Sequence, residues 1–212
     1  MKRKTVFLFM LSALFLFACQ PPVTFDKPQP DDVPNISHFP GRLIGEFISQ
    51  QDNSILIVTE NALIRIYDFD LKTHISLLDS SMQLIGDSLF DMNSNEGTPV
   101  QIEGDSLVQH IYETDTLFVI NQDNVLKKYK GYYFLNMKTN QDIWRVQKLE
   151  LTKGELILSS INNREDLDQL KAITETTQDT VPYIFSPTKR QFKDFVRNEG
   201  FRNKETFLKA SK

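Results

Sequence analysis

Two short stretches of the sequence hold a serine that could do chemistry. Gly86 to Leu89 and Gly104 to Leu107 both read Gly-Asp-Ser-Leu, and Ser88 and Ser106 supply their hydroxyls. A serine becomes a nucleophile for esters or amides only when a base takes its proton and when donors hold the developing oxyanion. The histidines that could serve as that base are His38, His74 and His110.

Serine esterases that carry the same four letters place the serine between a parallel strand and a helix, with their histidine in a late Asp-x-x-His block. No Asp-x-x-His occurs in this chain, and neither serine opens a helical pattern. On a strand, His110 would share a face with Ser106 at about 13 Å, which is too far for proton transfer. We therefore predict that both Gly-Asp pairs are turns leading into strands and that the protein is not an enzyme.

Asp68, Asp70 and His74 offer carboxylate and imidazole groups that could bind a divalent metal. They alternate with three apolar residues of the same predicted strand, Tyr67, Phe69 and Leu71. The alternation puts the polar residues on one face, but a straight strand spreads them over roughly 20 Å. We interpret this face as solvated, and we expect neither a metal site nor a cofactor.

Aromatic residues are concentrated in two later segments, VLKKYKGYYFLNM and IWRVQKLEL. In the first segment Tyr132 and Phe134 fall on one face and Tyr133 and Leu135 on the other, which predicts a strand buried on both sides. Aromatic side chains in strands usually form core. The alternative is a pocket for a small apolar ligand, and its candidate binding residues are Tyr132, Phe134 and Trp144.

The apolar pattern also predicts the elements that must position these residues. Residues 41–161 show short alternating runs separated by Gly, Asn and Asp. This pattern predicts a β-rich antiparallel meander, either a sandwich or a partly closed barrel. Residues 162–212 are predicted to be helical, so the two parts form a single α+β domain over residues 41–212.

Three helices are expected in the C-terminal part. Asn163 can cap the first, which would run to about Glu175. The dipeptide Ser186-Pro187 predicts the start of the second. A short third helix is expected around residues 204–209.

The first twenty residues, MKRKTVFLFMLSALFLFACQ, have the basic, apolar and small-residue regions of a secretion signal. The apolar run from Val6 to Phe17 is shorter than the ~20 residues of a membrane-spanning helix. Leu16-Phe17-Ala18-Cys19 resembles the lipobox of bacterial lipoproteins, which implies cleavage before Cys19 and a diacylglycerol on its thiol. We expect residues 1–18 to be a signal peptide and Cys19, the one cysteine, to anchor the mature protein to a membrane.

Residues 19–40 hold six of the nine prolines. Because proline fixes φ and lacks an N–H, this segment is predicted to be an extended tether of about 60 Å. In the lipoproteins that the lipobox resembles, an Asp directly after the Cys can mark retention at the inner membrane, whereas Gln20 follows here. The resemblance therefore implies an outer-membrane lipoprotein that faces the periplasm.

The charge of the chain argues against nucleic acid as a partner. The sequence has 24 basic and 28 acidic residues, and loss of Lys2, Arg3 and Lys4 with the signal leaves 21 against 28, a formal charge of −7. Nucleic-acid affinity depends on clustered Lys and Arg that neutralise phosphates. We expect no nucleic-acid partner.

Two segments look like parts of the short uncharacterised lipoproteins common in Bacteroidota: VLKKYKGYYFLNMKTNQDIWRVQKLEL and YIFSPTKRQFKDFVRNEGF. The resemblance implies an envelope location and no particular activity. Because no catalytic set is found, the predicted function is non-catalytic binding of a protein partner or an envelope component. The alternative is a carrier that holds a small apolar ligand in a lipocalin-like barrel.

Overall fold

The computed structural model describes residues 23–176 and 181–210. The predicted signal peptide, residues 1–18, and the predicted lipidation site, Cys19, lie outside the described residues. Within the two described ranges, no helix is both long enough and apolar enough to cross a membrane.

Most of the regular structure in these ranges is β-strand. The strands in chain order are β1 (Val23–Phe25), β2 (Asn35–Ile36), β3 (Gly45–Ser49), β4 (Ile55–Val58), β5 (Ala62–His74), β6 (Met82–Ile85), β7 (Ser88–Asp91), β8 (Glu96–Pro99), β9 (Gln101–Glu103), β10 (Ser106–Val119), β11 (Asn124–Tyr129), β12 (Tyr132–Lys138), β13 (Trp144–Thr152), β14 (Glu155–Ser160), β15 (Tyr183–Phe185) and β16 (Asn203–Lys209). The helices are α1 (Arg164–Thr174) and α2 (Lys189–Arg197), and a 3-10 turn, Ile75–Leu77, follows β5. A β-rich first part with helices near the C-terminus confirms the predicted α+β class.

The strands form a main sheet of thirteen strands and a small sheet of three, β6-β7-β8. The main path runs β2-β11-β12-β13-β14-β16-β3-β4-β5-β10-β9, and β1 pairs with β13 and β15 beside it. Every pairing is antiparallel except that of β1 with β15. Among the described residues β2 and β9, the two ends of the path, do not pair, so the sheet is not closed into a barrel and is consistent with the sandwich alternative.

The first core is enclosed by the main sheet. It contains side chains from β11 and β12, near one end of the strand path, and from β4, β5 and β10, near the other end. Strands so far apart in the path can share one cluster only if the sheet folds over on itself, as the two layers of a sandwich do. Its largest members are fully buried and fill the interior: Phe39, Phe47, Phe118, Tyr133 and Phe207.

The second core lies between the helices and the other face of β12 and β13. On β12, Tyr133 and Leu135 belong to the first core and Phe134 belongs to the second. The strand is therefore buried on both sides, which confirms the prediction from its sequence. The ring of Phe134 meets that of Phe192 on α2 edge-on at 5.2 Å between centroids, and Phe192 meets Phe25 of β1 at 6.0 Å. Aromatic packing therefore holds α2 and β1 to the sheet.

The two helices begin where local capping chemistry allows. Asn163 caps α1 as predicted, and its side-chain oxygen accepts the N–H of Asp166 at 2.8 Å. The second helix begins later than Ser186-Pro187 suggests, because Thr188 and Gln191 form a capping box in which each side chain bonds the other residue's backbone.

The predicted third helix around residues 204–209 is wrong, because this segment is β16. It pairs with β14 over six residues and with β3 over three, and so joins the two halves of the main sheet. Phe207 is its one buried side chain. The segment forms a strand despite its local helical pattern, because the facing backbone edges of β14 and β3 would otherwise be unpaired.

The predicted tether is wrong for the part that the structure describes, residues 23–40. All three residues of β1 are buried, and the strand pairs with β13 and β15. Phe39 is fully buried in the first core. Residues 23–40 are therefore part of the domain.

Two buried polar side chains hold this segment in place. Lys127 donates from Nζ to the carbonyl oxygens of Pro28 and Pro30, at 3.0 and 2.9 Å. Asn136 donates from Nδ2 to the carbonyl oxygen of Gln29 at 2.9 Å and accepts the N–H of the same residue. Prolines remove donors from a chain but leave its carbonyls, and the carbonyls of Pro28 and Pro30 accept hydrogen bonds from β11 while that of Gln29 accepts one from β12.

The hairpin of β5 and β10 extends past the other strands. β4 pairs with β5 only as far as Ile66, and β9 pairs with β10 only over residues 106–108. Between these points the hairpin has no third strand among the described residues, and the small sheet follows at its far end. We call residues 67–114 the arm and the rest of the described chain the body.

Candidate functional site

The Gly-Asp-Ser-Leu serines both follow tight turns of the arm. Gly86-Asp87 is a two-residue loop between β6 and β7, and Gly104-Asp105 is one between β9 and β10. Both glycines have positive φ, +63° and +64°, which hairpin loops of this length require. This confirms that the motif forms turns leading into strands. Within the described chain, neither Ser88 nor Ser106 bonds to a histidine.

A serine, a histidine and an aspartate do meet elsewhere on the arm. The Nε2 atom of His74 lies 2.9 Å from Oδ2 of Asp105, and Nδ1 lies 2.7 Å from Oγ of Ser76. The sequence alone does not reveal this group, because His74 and Asp105 are 31 residues apart and are brought together by the β5–β10 register. The N–H of Ser76 also donates to Nδ1, so the imidazole caps the 3-10 turn, and we assign the group a structural role.

The three residues considered as metal ligands are separated by their pairing. Asp68 and Asp70 both contact His110 of β10, the nearer contact being 3.0 Å from Asp70 Oδ1 to Nδ1. His74 instead contacts Asp105. Among the residues that the structure describes, no three ligand side chains converge on a possible metal position.

The three aromatic candidates all adjoin the second core, but they differ in exposure. Phe134 is fully buried in the second core. Trp144 begins β13, opposite Phe25 of β1, and packs against the same core. Tyr132 alone borders a surface groove. The structure therefore does not bring these three side chains into one pocket.

That groove lies between the β11–β12 turn and α2. It has a volume of about 340 Å³ and is lined by Tyr129, Lys130, Tyr132, Lys193, Val196 and Arg197. Its strand-side wall is a two-residue hairpin loop, Lys130-Gly131, in which both residues have positive φ. Its helix-side wall comes from the exposed side of an amphipathic helix that buries Phe192 and Phe195. The sequence alone does not reveal that the two walls meet, because more than fifty residues separate them.

A charged side chain is buried beneath the groove. The Nζ atom of Lys148 lies 4.8 Å from the ring centre of Tyr132 and 3.8 Å from Oε2 of Glu150. Burial lowers the pKa of Lys148, and the carboxylate of Glu150 partly offsets this effect. The cation thus packs against the ring of Tyr132.

The two faces of the arm differ in chemistry. Residues opposite each other on paired strands share a face, so Phe69 lies beside Ile111 on one side and Asp70 beside His110 on the other. Phe69 and Leu71 are 45% and 46% exposed. The predicted alternation of β5 is confirmed, and its apolar side is open to solvent.

Exposed apolar side chains are concentrated on the arm. Twelve large hydrophobic side chains are exposed in the described chain, and nine of them lie in the arm: Phe69, Leu71, Ile75, Leu77, Met82, Ile85, Met92, Ile102 and Tyr112. Monomeric proteins expose single apolar residues commonly but rarely gather them in one region. By the strand pairing Phe69, Leu71 and Ile102 share one face of the arm, whereas Tyr112 lies opposite Asp68 on the other face. The face that carries Phe69 and Leu71 therefore has the character of an interaction surface.

The comparisons with known proteins add no relative to this description. Searches against family models, curated proteins and solved structures give no match to this chain.

Proposed function

We propose that this protein is a lipid-anchored component of the cell envelope that binds a protein partner through its arm and catalyses no reaction. The observation that carries the proposal is the gathering of nine of the twelve exposed large hydrophobic side chains within residues 67–114. The lipobox-like Leu16-Phe17-Ala18-Cys19 supplies the anchor, and Gln20 after it favours the outer membrane facing the periplasm.

The backbone of the arm favours the same interaction. A hairpin of two strands is marginally stable alone in water, and free strand edges pair readily with a further strand. Residues 67–74 of β5 have no strand beside them on the β4 side, within the part of the chain described. An extended partner segment could pair with this edge and cover the side chains of Phe69 and Leu71 at once.

The carrier alternative has less support. A carrier needs an interior space for its ligand, and the space enclosed by the main sheet is occupied by the side chains of the first core. The aromatic candidates Phe134 and Trp144 are likewise packed into the second core.

Site-specific photo-crosslinking in the native envelope tests the proposal. A photoreactive residue at Leu71 should give one reproducible crosslinked protein, and the same residue at Leu208 on the body is a matched control because the two leucines are 46% and 44% exposed. The double substitution Phe69→Ser, Leu71→Ser should remove the same partner from affinity-purified complexes. If the photoreactive residue at Leu208 gave the same crosslinked protein in equal yield, the association would not be specific to the arm. That result would overturn the proposal.

The anchor is tested separately. Cys19→Ser should remove the lipid, move the protein from the membrane to the soluble fraction and abolish labelling by a radioactive fatty acid. Persistent labelling of the Cys19→Ser protein would contradict lipidation at this residue. It would not affect the proposal that the arm binds a partner.

A further inference from the structure

We propose that the groove between the β11–β12 turn and α2 binds an acidic glycan, a chain of sugar rings that carries carboxylate or phosphate groups. This site is independent of the arm. It is defined by Tyr129, Tyr132, Lys130, Lys193 and Arg197, and we call it the tyrosine groove.

The charge of the tyrosine groove selects an anion. Its three cationic residues, Lys130, Lys193 and Arg197, are exposed, and no carboxylate lines the groove. None of the ion pairs formed within residues 23–176 and 181–210 involves any of the three. In a chain whose formal charge is −4, three unpaired cations around one cavity form a local positive field.

Several cations outside the groove are paired with carboxylates, although others, such as Arg145, Lys153 and Lys204, form no ion pair within the described residues either. Lys72 and Lys138 each lie within 2.9 Å of a carboxylate oxygen, and Arg65 contacts two carboxylates. What distinguishes the groove is that three cations without an ion pair line one cavity. Lysine and arginine bind carboxylate or phosphate oxygens through charge-assisted hydrogen bonds, and arginine can do so with two parallel bonds.

The two tyrosines of the groove favour a ligand that contains a sugar ring. Tyr129 and Tyr132 are the cross-strand pair that closes the turn, so they stand side by side on one face. Both are half-buried, and neither hydroxyl is hydrogen-bonded within the described residues. Each therefore offers an apolar ring together with a free hydroxyl, which suits a sugar ring bordered by hydroxyl groups.

The rings are held in position before any ligand arrives. Tyr132 lies against Lys148 at 4.8 Å and against the ring of Phe134 at 6.5 Å. Tyr129 has the ammonium groups of Lys130 and Lys189 at 5.9 and 5.6 Å from its centre. A binding site whose side chains are already ordered loses less conformational entropy on binding.

The shape of the surface favours a chain over a single ring. The tyrosine groove, about 340 Å³, is at the small end of the range for ligand sites. A second groove of about 630 Å³ shares Lys193 and Arg197 with it and continues past Arg190. The lining of this second groove holds three cations, Arg190, Lys193 and Arg197, and one carboxylate, Asp194, so an acidic chain crossing α2 would meet more positive than negative charge.

Titration calorimetry on the purified full chain tests the proposal with four probes. These are a hexamer of galacturonic acid, the neutral hexamer maltohexaose, inorganic phosphate, and vesicles containing phosphatidylglycerol. We expect the acidic hexamer to bind and maltohexaose not to bind, and we expect the affinity to fall as salt is added. Failure of the acidic hexamer to bind at millimolar concentration would overturn the proposal.

The other two probes separate competing explanations. If inorganic phosphate bound as tightly as the hexamer, the tyrosines would contribute nothing to the affinity. The proposed recognition of a glycan would then be ruled out. Vesicles that bind while the hexamer does not would overturn the proposal in favour of a lipid surface.

Substitutions locate the binding. The double variant Lys193→Gln, Arg197→Gln should weaken binding of the acidic hexamer at least tenfold. Lys138→Gln, Arg164→Gln removes the same charge from other surfaces and should leave binding within twofold of the original value. An equal loss in both double variants would show a general charge effect and would contradict the site.

The tyrosines are tested by a graded pair. Tyr129→Leu should weaken binding severalfold, whereas Tyr129→Phe keeps the ring and should lose little. Circular dichroism should show both variants folded, since Tyr129 is only half-buried. Unchanged affinity in Tyr129→Leu would remove the ring from the site and refute recognition of a sugar.

Discussion

β12 and the outer half of β5 are both strands rich in apolar residues, but they bury them differently. Phe134 of β12 is 0% exposed, whereas Phe69 of β5 is 45% exposed. β12 has strands on both sides, the first core on one face and the helices on the other. Beyond Ile66, β5 has one neighbouring strand in the described chain and no layer over its apolar side chains.

The difference shows that the role of an apolar strand depends on whether other elements of the fold cover its side chains. A side chain covered on all sides stabilises the fold through the removal of its surface from water, whereas one left open contributes little to folding and remains available for association. The body and the arm should therefore respond to the same substitution in opposite ways. Stability should change in the body, and binding should change in the arm.

The largest difference is expected for the two phenylalanines. Phe134→Ala removes a ring that contacts Phe192 and Phe201, and we expect the free energy of unfolding to fall by about 3–5 kcal/mol. Phe69→Ala should change it by less than about 1 kcal/mol, because the ring is nearly half exposed. Urea denaturation of both variants measures this, and similar losses would mean that the arm is covered in solution.

A buried carboxylate gives the next contrast. Asp166 is 0% exposed, and it accepts the backbone N–H of Arg202 at 2.9 Å as well as its guanidinium. Asp166→Ala should cost about 2–3 kcal/mol, because these donors lose their acceptor while the guanidinium can still turn to water. Lys72→Gln breaks an exposed pair on the arm and should leave the urea midpoint unchanged.

The two buried lysines of the body should differ from each other. Lys127→Met leaves the carbonyls of Pro28 and Pro30 without their donor, and we expect a loss of about 1–3 kcal/mol together with faster hydrogen exchange in residues 23–40. Lys148→Met should be neutral or stabilising, because Lys148 forms no hydrogen bond within the described residues and its charge is costly to bury. Equal losses in thermal denaturation would show that the hydrogen bonds to the proline-rich segment contribute nothing.

The smallest expected effect is a dependence of stability on pH in the acid range. Burial alone would raise the pKa of Asp52, but hydrogen bonds from Ser54 and Ser49 and the charge of Arg65 lower it from 3.8 to about 2. The folded-state pKa is below the unfolded one, so this stabilisation is present above about pH 4 and is lost as the pH falls towards 2. Asp52→Asn should flatten the fall of the urea midpoint over this range.

An aspartate of the arm provides the control for this measurement. Hydrogen bonds from the N–H and hydroxyl of Ser81 lower the pKa of Asp79, but Asp79 lies in the exposed arm. We expect the arm, a two-stranded extension, to unfold separately from the body, so Asp79→Asn should keep the acid dependence of the urea midpoint of the body. A matching change in both variants would mean that the arm and the body unfold as one unit.

Local chemistry explains what could be predicted from the sequence. The two Gly-Asp turns, the Asn163 cap and the two-sided burial of β12 all depend on residues close together in the chain, and the structure confirms each of them. The open sandwich was one of two alternatives, because the alternation of a strand does not reveal whether the ends of a sheet meet.

Distant partners explain what could not be predicted. Nothing beside residues 204–209 in the sequence indicates that β14 and β3 flank them, and nothing beside Pro28 points to Lys127 almost a hundred residues later. The tyrosine groove is similar, since Tyr132 was a candidate while Lys193 and Arg197 come from a helix whose docking depends on the second core.

The short distance in sequence between Cys19 and β1 limits how far the domain could extend from a membrane. Val23, its first buried residue, comes four positions after Cys19, and a fully extended chain covers at most about 14 Å in four steps. A lipid on Cys19 would therefore act as a short stalk, with the underside of the domain close to the lipid headgroups. The domain would remain close to the bilayer, so a partner or a glycan would have to approach the bilayer to be bound.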